Sequence, residues 1–85
     1  MATVPLPEAV EQVLHADTLE CARRANRYKF GRLRNRRIIA LLRRAAAEAG
    51  ESLPHTDEDL LDTWFAQFAA YVEELKAEKR VRRPG

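Results

Sequence analysis

Apolar residues recur at helical spacing in three stretches of the chain, and this pattern predicts an all-α fold. A chain of 85 residues is long enough for one domain with a modest core. We therefore expect a single helical domain over residues 1–85, a small bundle of three principal helices. The predicted helices cover residues 6–30, 32–49 and 57–80, and a mobile basic tail follows at 81–85.

The apolar stripe of the first helix is less regular than the other two. Pro5 and Pro7 suit the start of a helix, where proline's missing N–H costs nothing. Asp17 and Arg24 fall on the apolar stripe, and the run Asp17-Thr18-Leu19-Glu20 resembles a capping box. The pattern therefore favours a kink or break near residue 17. The apolar members of the stripe are Val10, Val13, Leu14, Cys21, Ala25 and Tyr28.

The second helix has the clearest division into an apolar and a basic face. Its predicted core face consists of Ile38, Leu41, Leu42, Ala45, Ala46 and Ala49. The opposite face consists of Arg32, Arg36, Arg37, Arg43 and Arg44. Arg34 is the exception, because it falls on the apolar side. Gly50 is expected to end this helix, and Thr56 is expected to cap the next one.

The third helix carries most of the aromatic residues, on one long stripe. We expect this stripe to pack against the first two helices. Its members are Leu61, Trp64, Phe65, Phe68, Tyr71, Val72 and Leu75. A domain this small can leave part of such a stripe open, so Trp64, Phe65, Phe68 and Tyr71 form a candidate partner interface.

Charge is distributed in blocks along the chain. Between Glu20 and Glu48 there are nine arginines, one lysine and no acidic residue, and we call residues 23–44 the basic segment. Residues 1–20 hold four acids, and residues 48–78 hold nine acids and one lysine. The net charge of +2 therefore conceals a strongly basic region. Such a region favours a polyanionic partner.

Nucleic acid is the partner that this basic segment fits best. Guanidinium groups are permanently charged and present a planar fork of donors to phosphate oxygens. Tyr28 and Phe30 lie within the segment and could stack on unpaired bases, which favours RNA or single-stranded DNA. Binding should be salt-sensitive and weakly sequence-specific. The candidate contacts are Arg23, Arg24, Arg27, Lys29, Arg32, Arg36, Arg37, Arg43 and Arg44.

Other partners remain open at this point. The alternative function is a small interaction subunit or inhibitor that docks on an acidic protein surface or within a larger assembly, including a homo-oligomer. The acids of the third helix could also neutralise part of the basic segment. A helix-turn-helix is disfavoured, because its recognition helix would begin with Asp57, Glu58 and Asp59, which phosphates repel. The second helix lacks an aromatic membrane anchor.

Catalytic and metal sites are not indicated by the sequence. His15 and His55 belong to no ligand spacing typical of zinc, so we expect no metal and no cofactor. Cys21 lies on an apolar stripe and is expected to be a core thiol, and His55 is expected in a solvated turn. We predict a protein that is not an enzyme.

Localisation follows from features of the chain as given. One cysteine cannot form an intramolecular disulfide, and the first residues lack the basic end and apolar stretch of a secretory signal. No window approaches the roughly 18–20 apolar residues that span a bilayer. We therefore expect a cytoplasmic or otherwise intracellular protein that is not secreted and has no membrane span.

Overall fold

Three helices form the fold, and the predicted all-α class is confirmed. The computed structural model describes the backbone of residues 5–24 and 32–82, and the side chains of residues 5–24 and 34–78. Helix α1 runs over Glu8–Arg23, α2 over Arg32–Glu48 and α3 over Asp57–Arg82. Within these described ranges there is no strand. Each helix contacts both of the others.

Helix α1 begins two residues later than predicted, at Glu8, and ends earlier. Its first turn is closed by the amide of Glu11, which donates to the carbonyl oxygen of Pro7 at 2.9 Å. At the other end, the amide of Arg24 donates to the carbonyl of Cys21 at 3.1 Å. This bond to the third residue back is a tighter turn than the α-helix, and it ends the helix at Arg23. The prediction of a helix to residue 30 is therefore wrong for residue 24, and residues 25–31 lie outside the described chain.

The predicted break near residue 17 does not occur, because α1 is one continuous helix. Thr18 has no exposed surface, and its hydroxyl donates to the carbonyl oxygen of Leu14 at 2.7 Å. Asp17 binds side chains of the other two helices, Arg37 and Trp64, instead of capping a new helix. Both polar residues are therefore satisfied within an uninterrupted helix, which removes the reason for a break.

The connection between α2 and α3 follows the local signals closely. Gly50 has φ of 68°, and the amides of Gly50 and Glu51 donate to the carbonyls of Ala47 and Ala46. This is the arrangement of a Schellman motif, in which the left-handed residue is usually glycine. Thr56 caps α3 as predicted, because its hydroxyl oxygen accepts the amide of Asp59 at 3.1 Å. The predicted ends of this connection are correct to within one residue.

The core lies where the three helices meet. Trp64 is its largest fully buried side chain, and Leu60, one turn earlier on α3, is also fully buried. The predicted core face of α2 is confirmed at Ile38, Leu42 and Ala46, whereas Ala49 is exposed in the turn after α2. The remaining buried members are Val10, Leu14 and Cys21 of α1.

The third helix is longer than predicted, and the residues that it buries differ from those of the predicted stripe. It continues through Val81 and Arg82, so these two residues are not part of a tail, and residues 83–85 lie outside the described chain. Leu60 was not assigned to the stripe, yet it is buried, while Leu61 and Leu75 are only half-buried. None of the described helices is long and apolar enough to cross a membrane.

Candidate nucleic-acid interface

The basic segment supplies the candidate interface, and the structure describes part of it. Arg27 and Lys29 lie outside the described residues, and Arg32 is described only as the first backbone position of α2. Six candidate arginines have described side chains. They are Arg23, Arg24, Arg36, Arg37, Arg43 and Arg44.

Arg37 is engaged in joining the helices. Its guanidinium donates to both carboxylate oxygens of Asp17, at 3.3 and 3.0 Å. The same Asp17 carboxylate accepts the indole N–H of Trp64 at 2.9 Å. Asp17 therefore connects α1 with α2 and α3, and its side chain is only 15% exposed. A carboxylate in this position satisfies the polar atom of a fully buried tryptophan.

Arg43 is engaged in holding the α2–α3 connection. It donates to the carboxylate of Asp57 through Nε at 3.2 Å and through a terminal nitrogen at 2.6 Å. It also donates to the carbonyl oxygens of His55, at 3.0 Å, and of Leu53, at 3.4 Å. These bonds satisfy carbonyls of a loop that has no regular structure of its own. We call Arg37 and Arg43 the fold arginines.

Arg24 and Arg44 form ion pairs that remain open to solvent. Arg24 pairs with Glu20 at 3.2 Å, and the side chains are 69% and 61% exposed. Arg44 pairs with Glu48 at 3.4 Å, and these side chains are 78% and 67% exposed. Both are pairs of residues four apart on one helix, a type of contact that stabilises by only about 0.3–0.5 kcal/mol. An anion that binds the guanidinium more tightly can therefore readily replace the glutamate in such a pair.

Arg23 and Arg36 are exposed and form no ion pair with any residue that the structure describes. We call them, together with Arg24 and Arg44, the exposed arginines. Arg34 differs from both groups, since it is half-buried on the apolar side of α2, where the sequence predicted it. The predicted face is therefore real as an exposed surface at Arg36 and Arg44, but Arg37 and Arg43 are partly withdrawn from it.

Alanines lie between the exposed arginines of α2. Ala40 and Ala47 are exposed, and both fall on the helix face between Arg36 and Arg44. We call Arg36, Ala40, Arg44 and Ala47 the outer face of α2. Helix α2 contains no aromatic residue. The outer face thus presents two guanidinium groups beside alanine side chains, which project only a short distance from the helix.

The predicted protein interface is wrong for Trp64, which has no exposed surface. Its ring stacks on that of Phe68, with centroids 5.3 Å apart and planes at 10°. The rings of Trp64 and Phe65 are in a T-shaped arrangement, with centroids 5.0 Å apart and planes at 81°. Phe65 and Phe68 are half-buried and pack against the core. Tyr71 is half-buried, and its hydroxyl lies 2.9 Å from Nδ1 of His15. Trp64 packs in the core, and Asp17 accepts its indole N–H, so no polar atom of the ring is left unsatisfied.

The titratable core groups are mostly used for packing. Cys21 is buried, as predicted for a core thiol. The expectation of a solvated His55 is wrong, because only 9% of the residue is exposed, in the loop that Arg43 binds.

A cavity of about 160 Å³ is lined by two carboxylates, two guanidiniums and a thiol. Its charged groups pair with each other, as Asp17 with Arg37 and Glu20 with Arg24.

Asp17 is a structural residue whose role the sequence pattern did not predict. Its place on an apolar stripe predicts a helix break, which the structure does not have. A polar residue on a core-facing stripe can equally be a buried acceptor for a distant donor, and Trp64 is 47 residues away.

No protein-family model, curated protein or solved structure matches this chain. The function is therefore argued from the site itself.

Proposed function

We propose that this protein is a non-enzymatic nucleic-acid-binding protein that contacts phosphates through the exposed arginines. The observation that carries the proposal is that Arg23, Arg24, Arg36 and Arg44 all remain exposed after folding. Two of them lie on α2 and two at the end of α1, within a segment of the sequence that contains no acidic residue from position 21 to 47. Arg27, Lys29 and Arg32 add cations to the same segment of the sequence.

Folding does not account for the exposed arginines. The two ion pairs that they form are exposed, and pairs of this kind contribute little to stability. A phosphate offers each guanidinium a charge-assisted, two-pronged hydrogen bond, and binding releases counterions from the nucleic acid. The same side chains that add little to the fold are thus available to stabilise a complex.

The fold arginines have a lesser part in the proposed contact. Arg37 and Arg43 each hold a carboxylate and are 46% and 40% exposed, so their positive charge is partly neutralised. The preference for RNA or single-stranded DNA depended on Tyr28 and Phe30, which lie outside the described residues. The proposal itself requires only phosphate. It implies an intracellular location, where nucleic acid is present.

One observation favours the alternative, an interaction subunit that binds an acidic protein or a second copy of the chain. Tyr71, Val72 and Leu75 form a half-buried apolar stripe on the second half of α3. None of the three packs against the buried core cluster. In this alternative, changes on that stripe would disrupt the complex, whereas charge changes on the outer face of α2 would matter only if the partner is acidic.

A binding titration with matched charge variants tests the proposal. Arg36→Glu reverses the charge of an exposed arginine that forms no ion pair with a described residue, and Lys76→Glu makes the same charge change on the exposed surface of α3. We expect Arg36→Glu to weaken binding to nucleic acid by about tenfold or more, and Lys76→Glu by less than about threefold. Fluorescence anisotropy across a salt series provides the measurement.

The salt dependence distinguishes direct phosphate contact from a general charge effect. The logarithm of the affinity should fall with the logarithm of the salt concentration, with a slope of about −0.9 for each phosphate contact with duplex DNA. Arg36→Glu should make this slope shallower by about one contact. Lack of binding to duplex DNA, single-stranded DNA and structured RNA at low salt would exclude the proposed function.

A further inference from the structure

Resting on the proposed function, we propose that the preferred ligand is double-stranded DNA, with the outer face of α2 lying in the major groove. This assignment differs from the single-stranded ligand that Tyr28 and Phe30 suggested. It depends on three features: the position of the alanines between the arginines, the absence of aromatic residues from α2, and the placement of acids at one end of the helix.

The outer face of α2 has cations on either side of a low surface. Arg36, Ala40 and Arg44 follow each other at intervals of four residues, so each is turned by about 40° from the previous one. Arg36 and Arg44 are separated by about 12 Å along the helix axis. Ala40 therefore lies between Arg36 and Arg44 both around the helix and along its axis. A helix of this shape can approach a surface closely at Ala40 while two guanidiniums extend to the sides.

The major groove of B-form DNA matches this shape. It is about 12 Å wide, which admits one α-helix, and a phosphate strand borders it on each side. Ala40 would face the base edges, where alanine offers only apolar contact. Arg36 and Arg44 would reach the bordering phosphates. This arrangement accounts for binding with little sequence specificity, because phosphate contacts carry no direct sequence information.

Single strands and RNA duplexes fit the same face less well. Single-stranded ligands are bound largely by stacking bases on aromatic side chains, and α2 contains none. The major groove of an RNA duplex is deep and narrow, so a helix cannot enter it. The outer face therefore favours a DNA duplex over both.

Acids restrict which part of α2 faces the DNA. The Arg43–Asp57 ion pair brings the start of α3 to the carboxyl-terminal half of α2. Glu58 and Asp59 are exposed in that first turn of α3. Phosphates are repelled there, so the DNA should lie closer to Arg36 than to Arg44. Arg23 and Arg24 at the end of α1 are also exposed, and Arg24 lines a pocket together with Arg37 of α2.

A bulky side chain at Ala40 tests the groove arrangement without changing the charge. Ala40→Tyr would hold the helix away from the groove floor, yet it would offer a single strand a stacking partner. Ala66→Tyr is the matched control, because Ala66 is exposed on α3. Affinity is measured by anisotropy with duplex DNA, single-stranded DNA and duplex RNA of equal length and at equal salt. Circular dichroism confirms the fold of both variants.

The expected result is that wild type binds duplex DNA at least about tenfold more tightly than the other two ligands. Ala40→Tyr should weaken duplex binding by about tenfold and leave single-strand binding unchanged or stronger, while Ala66→Tyr changes neither by more than about twofold. Tighter binding to single strands or to duplex RNA would overturn this inference and leave the proposed function standing. Duplex binding that is insensitive to Ala40→Tyr would also overturn it. Failure to bind any ligand would overturn both.

Discussion

Arg36 and Arg37 are adjacent in the sequence and belong to two different regions of the structure. The guanidinium of Arg37 holds the Asp17 carboxylate, which in turn accepts the indole N–H of buried Trp64. Arg36 is exposed and forms no ion pair with a described residue. The same contrast separates Arg43, which binds Asp57 and two loop carbonyls, from Arg44, which has only an exposed pair with Glu48.

This contrast shows that a block of like charge in a sequence can contain two kinds of residue. The fold arginines each replace bonds to water with bonds to a carboxylate or to loop carbonyls, and these bonds connect separate helices. The exposed arginines add charge to the surface without adding connections. Substitutions in the first group should therefore change mainly stability, and substitutions in the second should change mainly binding.

The largest effect should come from removing the shared acceptor Asp17. Asp17→Ala leaves the indole N–H of Trp64 buried without its acceptor and removes the partner of Arg37, so we expect a loss of about 2–3 kcal/mol in the free energy of unfolding. Asp17→Asn retains a carbonyl oxygen for Trp64 and should cost less than half as much. Urea denaturation monitored by tryptophan fluorescence measures both. Equal losses in the two variants would show that the Trp64 hydrogen bond contributes nothing.

A smaller effect should come from Arg43. Arg43→Met keeps an apolar stem but removes the bonds to Asp57 and to the carbonyls of Leu53 and His55, so we expect a loss of about 1–2 kcal/mol. Arg44→Met, the matched change one residue along, should alter the free energy of unfolding by no more than about 0.5 kcal/mol. The comparison fails if thermal or urea unfolding finds the two variants equally stable.

The sequence predicted those parts of the fold that depend on local signals. The periodicity of α2 identified Ile38, Leu42 and Ala46 as core. Gly50 and Thr56 marked the ends of α2 and α3, because a left-handed residue and a hydroxyl cap act within a few residues of their own position. Features that depend on distant partners were missed: the continuity of α1 through Asp17, the burial of Leu60 and the burial of His55.

The sequence predicted which arginines belong to the candidate site, but not which of them are fold arginines and which are exposed arginines. Counting charges located the arginines, and helical spacing placed Arg36 and Arg44 on an outward face. Nothing local distinguishes Arg37 from Arg36, because the partner of Arg37 is 20 residues away on another helix. The partner of Arg43 is 14 residues away, beyond a loop. Only the tertiary arrangement decides which guanidiniums remain available to a ligand.

Arg36→Gln and Arg37→Gln remove the same charge from adjacent positions, and measuring both stability and DNA affinity for the pair tests the central claim most directly. Arg36→Gln should weaken duplex DNA binding by about fivefold or more and change the free energy of unfolding by less than about 0.5 kcal/mol. Arg37→Gln should lower the free energy of unfolding by about 1 kcal/mol and affect binding less. Equal effects of the two substitutions on both quantities, or the reverse order, would contradict the division between fold arginines and exposed arginines.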